Sequence, residues 1–173
     1  ALYYAFFYSV SAFNNAGFSL FPDSLVTFQS HYLACLAISF LYILGGIGFM
    51  VLMDIKQNKR WKKLSTNSKV VLSTIAVLNI SGFLLIWLIE ANNPLTLMQM
   101  NLGEQAVNAW FQATVPRSSG FNTIDTASLM NSSTLLTMFL MFIGGGSLST
   151  AGGIKVGTFF ILVLSVISFL RRN

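Results

Sequence analysis

Charge is what this sequence has least of. Only 9% of its 173 residues are charged while 54% are hydrophobic, against about 25% charged in an ordinary soluble domain. That balance excludes a soluble fold and marks a membrane protein. A single cysteine, Cys35, and a single histidine, His31, exclude an intrachain disulfide and a His/Cys metal cluster; Cys35, in an apolar run, reads as a small buried hydrophobe. The five acidic residues form no paired carboxylates inside the apolar segments, and no Ser/His or His/Glu pattern lies there either, so the chain reads as no enzyme and binds no cofactor of its own. No basic region precedes the first apolar segment, and neither a signal peptide nor a cleavage site is visible. Ala1 falls inside an apolar run, which reads as a cut through a longer protein.

The positive charge present is concentrated. Lys56, Lys59, Arg60, Lys62, Lys63 and Lys69 crowd one short segment, the usual mark of a cytoplasmic loop between spans rather than of nucleic-acid binding. Arg171-Arg172 at the far end puts a second basic group on the same side. The chain therefore reads as a multi-pass protein of the cell membrane with the loop at 54–69 and the C-terminal end cytoplasmic.

Two related stretches organise the rest. Asn14-Asn15-Ala16-Gly17-Phe18-Ser19 and Arg117-Ser118-Ser119-Gly120-Phe121-Asn122-Thr123 align glycine on glycine and phenylalanine on phenylalanine. Each follows a short apolar-aromatic segment, Leu2–Phe13 or Glu104–Val115, the second ended by Pro116. About 12 residues make roughly 18 Å of helix, too short for roughly 30 Å of hydrocarbon. Tyr32–Met53 and Val70–Ile89 are long enough to span. A half-length helix, a glycine-bearing stretch and then a full span make a re-entrant pore loop, and irregular backbone at membrane depth is tolerated only when buried in protein or lining a wet cavity. Within Tyr32–Met53, Gly45-Gly46-Ile47-Gly48 reads either as a close helix contact or as a flexible point beside the pore.

Thr134–Leu170 is far too long for one span and carries Gly144-Gly145-Gly146-Ser147-Leu148-Ser149-Thr150-Ala151-Gly152-Gly153 at its centre. Glycine costs about 1 kcal/mol relative to alanine inside a helix, so five glycines in ten residues predict an unwound loop. It is not a P-loop, because Ile154 separates Gly153 from Lys155, and the dinucleotide pattern is absent too. Lys155 reads as a functional intramembrane charge or as a lysine snorkelling to the inner interface.

With these motifs in place, the chain resembles the potassium-translocating subunits of the Trk/Ktr/HKT superfamily, and is most similar to the bacterial Ktr-type (KtrB-like) membrane subunit. The two glycine stretches carry the resemblance, together with Gly144–Lys155 at its distance beyond the second. The resemblance implies an all-α membrane fold of four helix–pore-loop–helix repeats with re-entrant pore helices and a broken inner helix in the third. Residues 1–53 would then be the pore helix, filter strand and last helix of the second repeat, 54–69 a cytoplasmic loop, and 70–173 the complete third repeat. It further implies a homodimer, a cytosolic ring of nucleotide-binding regulatory subunits and, besides the lipid bilayer, the missing repeats of the same polypeptide as partners.

On this reading K⁺ is the transported ion. The carbonyls of Asn15, Ala16 and Gly17 and of Ser118, Ser119 and Gly120 replace its hydration shell, with Phe18 and Phe121 wedging each strand against its pore helix. Arg117 points away and pairs with Glu104 or Asp125, or else tunes the ion. Gly144, Gly145, Gly146, Ser147, Ser149, Thr150, Gly152, Gly153 and Lys155 form an intramembrane gate. The alternatives are a sodium-permeable or sodium-coupled transporter of the same superfamily, and a secondary carrier with broken helices.

Overall fold

The computed structural model describes residues 2–117 and 119–171. Seven α-helices follow one another: α1 Leu2–Phe13, α2 Tyr32–Ile47, α3 Phe49–Gln57, α4 Thr66–Glu90, α5 Leu102–Thr114, α6 Asn131–Phe142 and α7 Val156–Arg171. Short 3₁₀ turns occupy Val26–Phe28, Trp61–Lys63 and Thr126–Ser128. No strand occurs among the described residues. Of these helices only α4 is long and apolar enough to cross a bilayer by itself. Outward faces of α1, α2 and α7 expose large apolar side chains, among them Leu33, Ile161 and Phe169.

The half-length helices are α1 and α5, and each has a definite stop or start. At the end of α1, Asn15 adopts φ 51°, while Ala16 N–H donates to the Ser11 carbonyl at 2.9 Å and Asn15 N–H to that of Ala12 at 3.0 Å. This is a Schellman closure with asparagine at the left-handed position. At the start of α5 a capping box joins Asn101 and Glu104, so the helix begins at Leu102, ahead of the Glu104 expected from the apolar pattern.

The expected single span Tyr32–Met53 is corrected to two helices bent by 94°. The break is at Gly48, whose φ of 97° lies where a side chain is strained. Beyond the bend, Asp54 ties α3 to the start of α4: its carboxylate accepts from Ser68 Oγ at 2.5 Å, Asn58 Nδ2 at 2.8 Å and Ser65 N–H at 2.9 Å. Hydrogen bonds from Ser68, Asn58 and Ser65 hold this carboxyl well below the usual carboxylate range.

The core has three parts. Tyr8, Cys35, Tyr42, Phe111 and Phe121 join α1, α2 and α5. Ile47, Val51, Val71, Ile75, Ile143 and Val156 pack the C-terminal end of α2, α3 and the N-terminal half of α4 against the loop after α6 and the first residue of α7. Ile86, Leu97, Ala109, Ala113 and Ile124 seat α5 on α4. Thus α1 packs against α2, and α5 against both α2 and α4, which brings the C-terminal ends of α1 and α5 together.

The long segment at 134–170 is interrupted as the glycine content predicts, with residues 143–155 outside any helix. The loop is pinched at its neck, where Gly144 N–H donates to the Ile154 carbonyl at 2.9 Å and Ile154 N–H to that of Phe142 at 3.1 Å.

Candidate functional site

The two glycine stretches meet. Gly17 has φ 71° and Gly120 φ 72°, both in the left-handed region. A Cβ on Gly17 would lie 2.5 Å from the Ser119 carbonyl oxygen and 2.8 Å from the Gly120 Cα, and one on Gly120 would lie 3.1 Å from the Gly17 Cα. The strands therefore abut with no space for any side chain between them. Ser118 lies outside the described residues. Ser119 is buried, Ala16 exposed and Asn15 buried. The carbonyl ends of α1 and α5 lead into these strands, which places partial negative charge beside them.

Phe121 is fully buried, with its ring centroid 6.1 Å from that of Tyr8 on α1. Phe18 does not wedge: it is 70% exposed. Leu25 N–H donates to the Asn122 carbonyl at 2.9 Å and holds the Phe121 strand over the α1–α2–α5 core. On the Gly17 side, Ser11 Oγ donates to the Phe18 carbonyl at 3.0 Å and Tyr8 Oη lies 2.7 Å from Ser19 Oγ.

Arg117 also departs from expectation. Its guanidinium donates to Asn79 Oδ1 near the middle of α4. Glu104 stands at the opposite end of α5 and spends Oε2 on the capping box; Asp125 is engaged by Ala127 N–H and Ser128 Oγ in its own turn. A buried cation one turn beyond α5 reaches the amide of α4 and not a distant carboxylate. A cavity of about 20 Å³ lies beside it, lined by Arg117, Asn15, Tyr42, Thr114, Gly46 and Gly145, and the Arg117 Nε has no hydrogen-bond partner among the described residues. Tyr42 Oη and Thr114 Oγ1, 2.5 Å apart, close this cavity on the α2–α5 side.

The loop at 143–155 docks on the α2–α3 bend, backbone against backbone. Gly146 N–H donates to the Gly46 carbonyl at 2.8 Å, and Phe49 N–H to that of Leu148 at 3.2 Å. A Cβ on Gly146 would fall 2.0 Å from the Ile47 carbonyl oxygen, one on Gly145 2.3 Å from that of Gly46, and one on Gly48 2.3 Å from that of Ser147. Gly144 and Gly152 meet within the loop, where a Cβ on Gly144 would fall 1.6 Å from the Gly152 carbonyl oxygen, and Gly153 turns with φ 75°. The Lys155 Nζ donates to the Ala151 carbonyl at 2.6 Å and closes the loop on itself.

The loop also reaches the first glycine stretch, which sequence reasoning missed. Asn15 Nδ2 donates to Thr150 Oγ1 at 2.6 Å, and Ser119 Oγ donates to Asn15 Oδ1 at 3.0 Å. The only sequence signal was the paired asparagine before Gly17, which had been assigned a carbonyl role.

The family model of TrkH, described as a cation transport protein, matches residues 1–173. Ktr system potassium uptake protein B of Bacillus subtilis (strain 168) is 43% identical over 170 residues, covering 98% of this chain and 38% of that protein. The protein of the same description from Vibrio alginolyticus is 39% identical over 176 residues, covering 99% of this chain and 38% of its own length. Potassium/sodium uptake protein NtpJ of Enterococcus hirae is 42% identical over 165 residues, covering 95% and 36%. The chain thus spans a little over a third of the length of these relatives. The crystal structure of the potassium transporter TrkH from Vibrio parahaemolyticus matches with a TM-score of 0.80 at 23% identity, over 94% of this chain and 34% of that one, which shows the fold.

Proposed function

This chain belongs to the TrkH family of cation transport proteins, and on that premise we propose that it forms part of the ion path of a potassium-uptake protein of the cell membrane. Residues 1–53 supply one pore helix, glycine strand and last helix, and 70–173 supply the next complete repeat, joined by a cytoplasmic loop at 54–69. The observation that carries this reading is the contact of Gly17 with Gly120, both left-handed and both at the end of a half-length helix. Glycine gives the backbone the freedom to turn its carbonyls toward an ion, and carbonyls replace a hydration shell without adding net charge, so the ion is held yet can leave. Asn15, Ala16 and Gly17 on one strand and Ser118, Ser119 and Gly120 on the other are the carbonyl donors in this proposal. The loop at 143–155, seated across the bend at Gly48, is the gate.

The sodium-permeable reading has one observation in its favour, the relative described as a potassium/sodium uptake protein. Expression of the full-length protein in cells that lack potassium uptake tests both readings. Growth rescue at low K⁺ without enhancement by Na⁺ is the expected result; rescue that requires Na⁺ favours the coupled reading, and no rescue or cation uptake overturns the proposal. Co-purification of the full-length protein as a dimer with a cytosolic nucleotide-binding ring is the corresponding test of its partners.

A further inference from the structure

Asn15 stands where the two glycine strands and the loop converge. It is 8% exposed, and its side chain makes two contacts of opposite polarity. Ser119 Oγ, on the second strand, donates to Oδ1 at 3.0 Å. Nδ2 donates to Thr150 Oγ1, in the loop, at 2.6 Å. Thr150 Oγ1 in turn donates to the Phe13 carbonyl at the end of α1, at 3.3 Å. Every donor and acceptor in this chain runs in one direction: Ser119 hydroxyl to Asn15 oxygen, Asn15 amide to Thr150 oxygen, Thr150 hydroxyl to α1. A carboxamide offers an acceptor to one strand and a donor to the loop at once; aspartate lacks the donor and an aliphatic side chain lacks both.

We propose that the Asn15 side chain is a positioning residue that couples the loop at 143–155 to both glycine strands, so that displacing the loop alters which cation is preferred as well as how fast it passes. The inference rests on the reading of the glycine strands as a filter and of the loop as a gate. Its physical basis is the rigidity of the surroundings. The backbone at Asn15 is fixed by the Schellman closure of α1, and Ser119 Oγ holds its Oδ1 at 3.0 Å. The amide therefore cannot swing freely to a new partner when Thr150 leaves. Loss of the Thr150 contact leaves a buried donor unsatisfied, and the balance is restored by moving Asn15 against Ser119, one residue before Gly120.

The test uses the full-length protein, with K⁺ uptake rate and the K⁺/Na⁺ preference measured side by side. Thr150→Val keeps the shape and removes the hydroxyl. It is expected to raise the rate and to change the K⁺/Na⁺ preference by about fivefold or more, the low end of ordinary coupling between two sites. Thr150→Ser restores both values, because it keeps the hydroxyl. Asn15→Gly keeps the left-handed helix ending, removes the side chain and reproduces the change in preference; it carries the test if Thr150→Val does not accumulate in the membrane. Gly120→Ser is the control for the filter itself. A Thr150→Val or Asn15→Gly variant with an altered rate and an unaltered preference overturns the coupling and leaves the gate reading standing. If neither quantity moves in these variants while Gly120→Ser still shifts the preference, the coupling and the gate both fall and the filter remains. An unaltered preference in Gly120→Ser removes the filter reading on which the coupling rests.

Discussion

Gly45 of α2 faces the carbonyl of Phe13 so closely that a Cβ on Gly45 would sit 1.9 Å from that oxygen. The last residue of the first half-length helix is thus pressed against the backbone of α2, and the neighbouring glycine stretch takes its position from that contact. Gly45→Ala forces the two apart in a region where backbone, not a flexible side chain, is the obstacle. Overpacking of this kind costs about 1–3 kcal/mol. The full-length variant in detergent should unfold at a lower temperature than the wild type, with reduced K⁺ uptake. A wild-type melting temperature would mean that α1 and α2 are not in this register.

Gly120→Ser should weaken K⁺ uptake and relax discrimination against Na⁺. The substitution puts a side chain on a residue at φ 72°, 3.1 Å from the Cα of Gly17, so both the backbone angle and the contact between strands are disturbed. Competition of Na⁺ with K⁺ uptake in the full-length protein measures the effect; unchanged competition would take Gly120 out of the ion path.

Deleting Gly146–Gly152 removes the segment seated on the α2–α3 bend, together with Thr150. Transport should become faster, because the obstruction is gone while the helices on either side are left in place. Uptake rate per molecule of protein in the membrane is the measurement. A variant that accumulates normally and transports at the wild-type rate would show that the loop does not obstruct the path.

Asn79→Leu leaves the buried Arg117 guanidinium without its α4 acceptor. A hydrogen bond to a charged group is worth about 1.5–3 kcal/mol, and the variant should lose stability on that scale. Asn79→Asp keeps an acceptor and adds a counter-charge, so it should fold. Thermal unfolding of the two full-length variants separates them; equal and unchanged melting would remove Asn79 as the partner that matters.

A cysteine at position 62, in the basic segment, should react with a membrane-impermeant thiol reagent only from the cytoplasmic side, following the bias of basic residues. The native Cys35 is buried at 1% exposure and adds little background. Labelling from outside intact cells would invert the topology.

The sequence was most legible where a pattern ended sharply. Leu2–Phe13 could be delimited to the residue because Asn14-Asn15 stops an apolar run, and the interruption at 144–153 follows from glycine content alone. The apolar pattern puts the start of α5 at Glu104, two residues later than the capping box at Asn101 sets it. The bend at Gly48 was hidden because Gly-Gly-Ile-Gly inside an apolar run is equally compatible with a straight, closely packed span; only the φ of 97° decides. Arg117 was paired with carboxylates by charge complementarity, whereas its partner is a neutral amide 38 residues earlier that no local pattern marks. Asn15 shows the same limit: its place beside Gly17 suggested a role for its carbonyl, while the use of its side chain depends on Thr150, 135 residues away.

Beside the packing of Ile143 on Ile47, residues 146–150 of the loop meet the α2–α3 bend through main-chain hydrogen bonds, and this sets the entropy balance of that part of the contact. Few side-chain rotamers are frozen when the loop seats and few are released when it leaves. What changes instead is backbone freedom, and glycine has more of that to regain than any other residue. In a gate built this way, release of the loop would be favoured increasingly as temperature rises, and closure would depend on enthalpy from a handful of peptide hydrogen bonds. A steep temperature dependence of uptake is the thermal signature of such a seat.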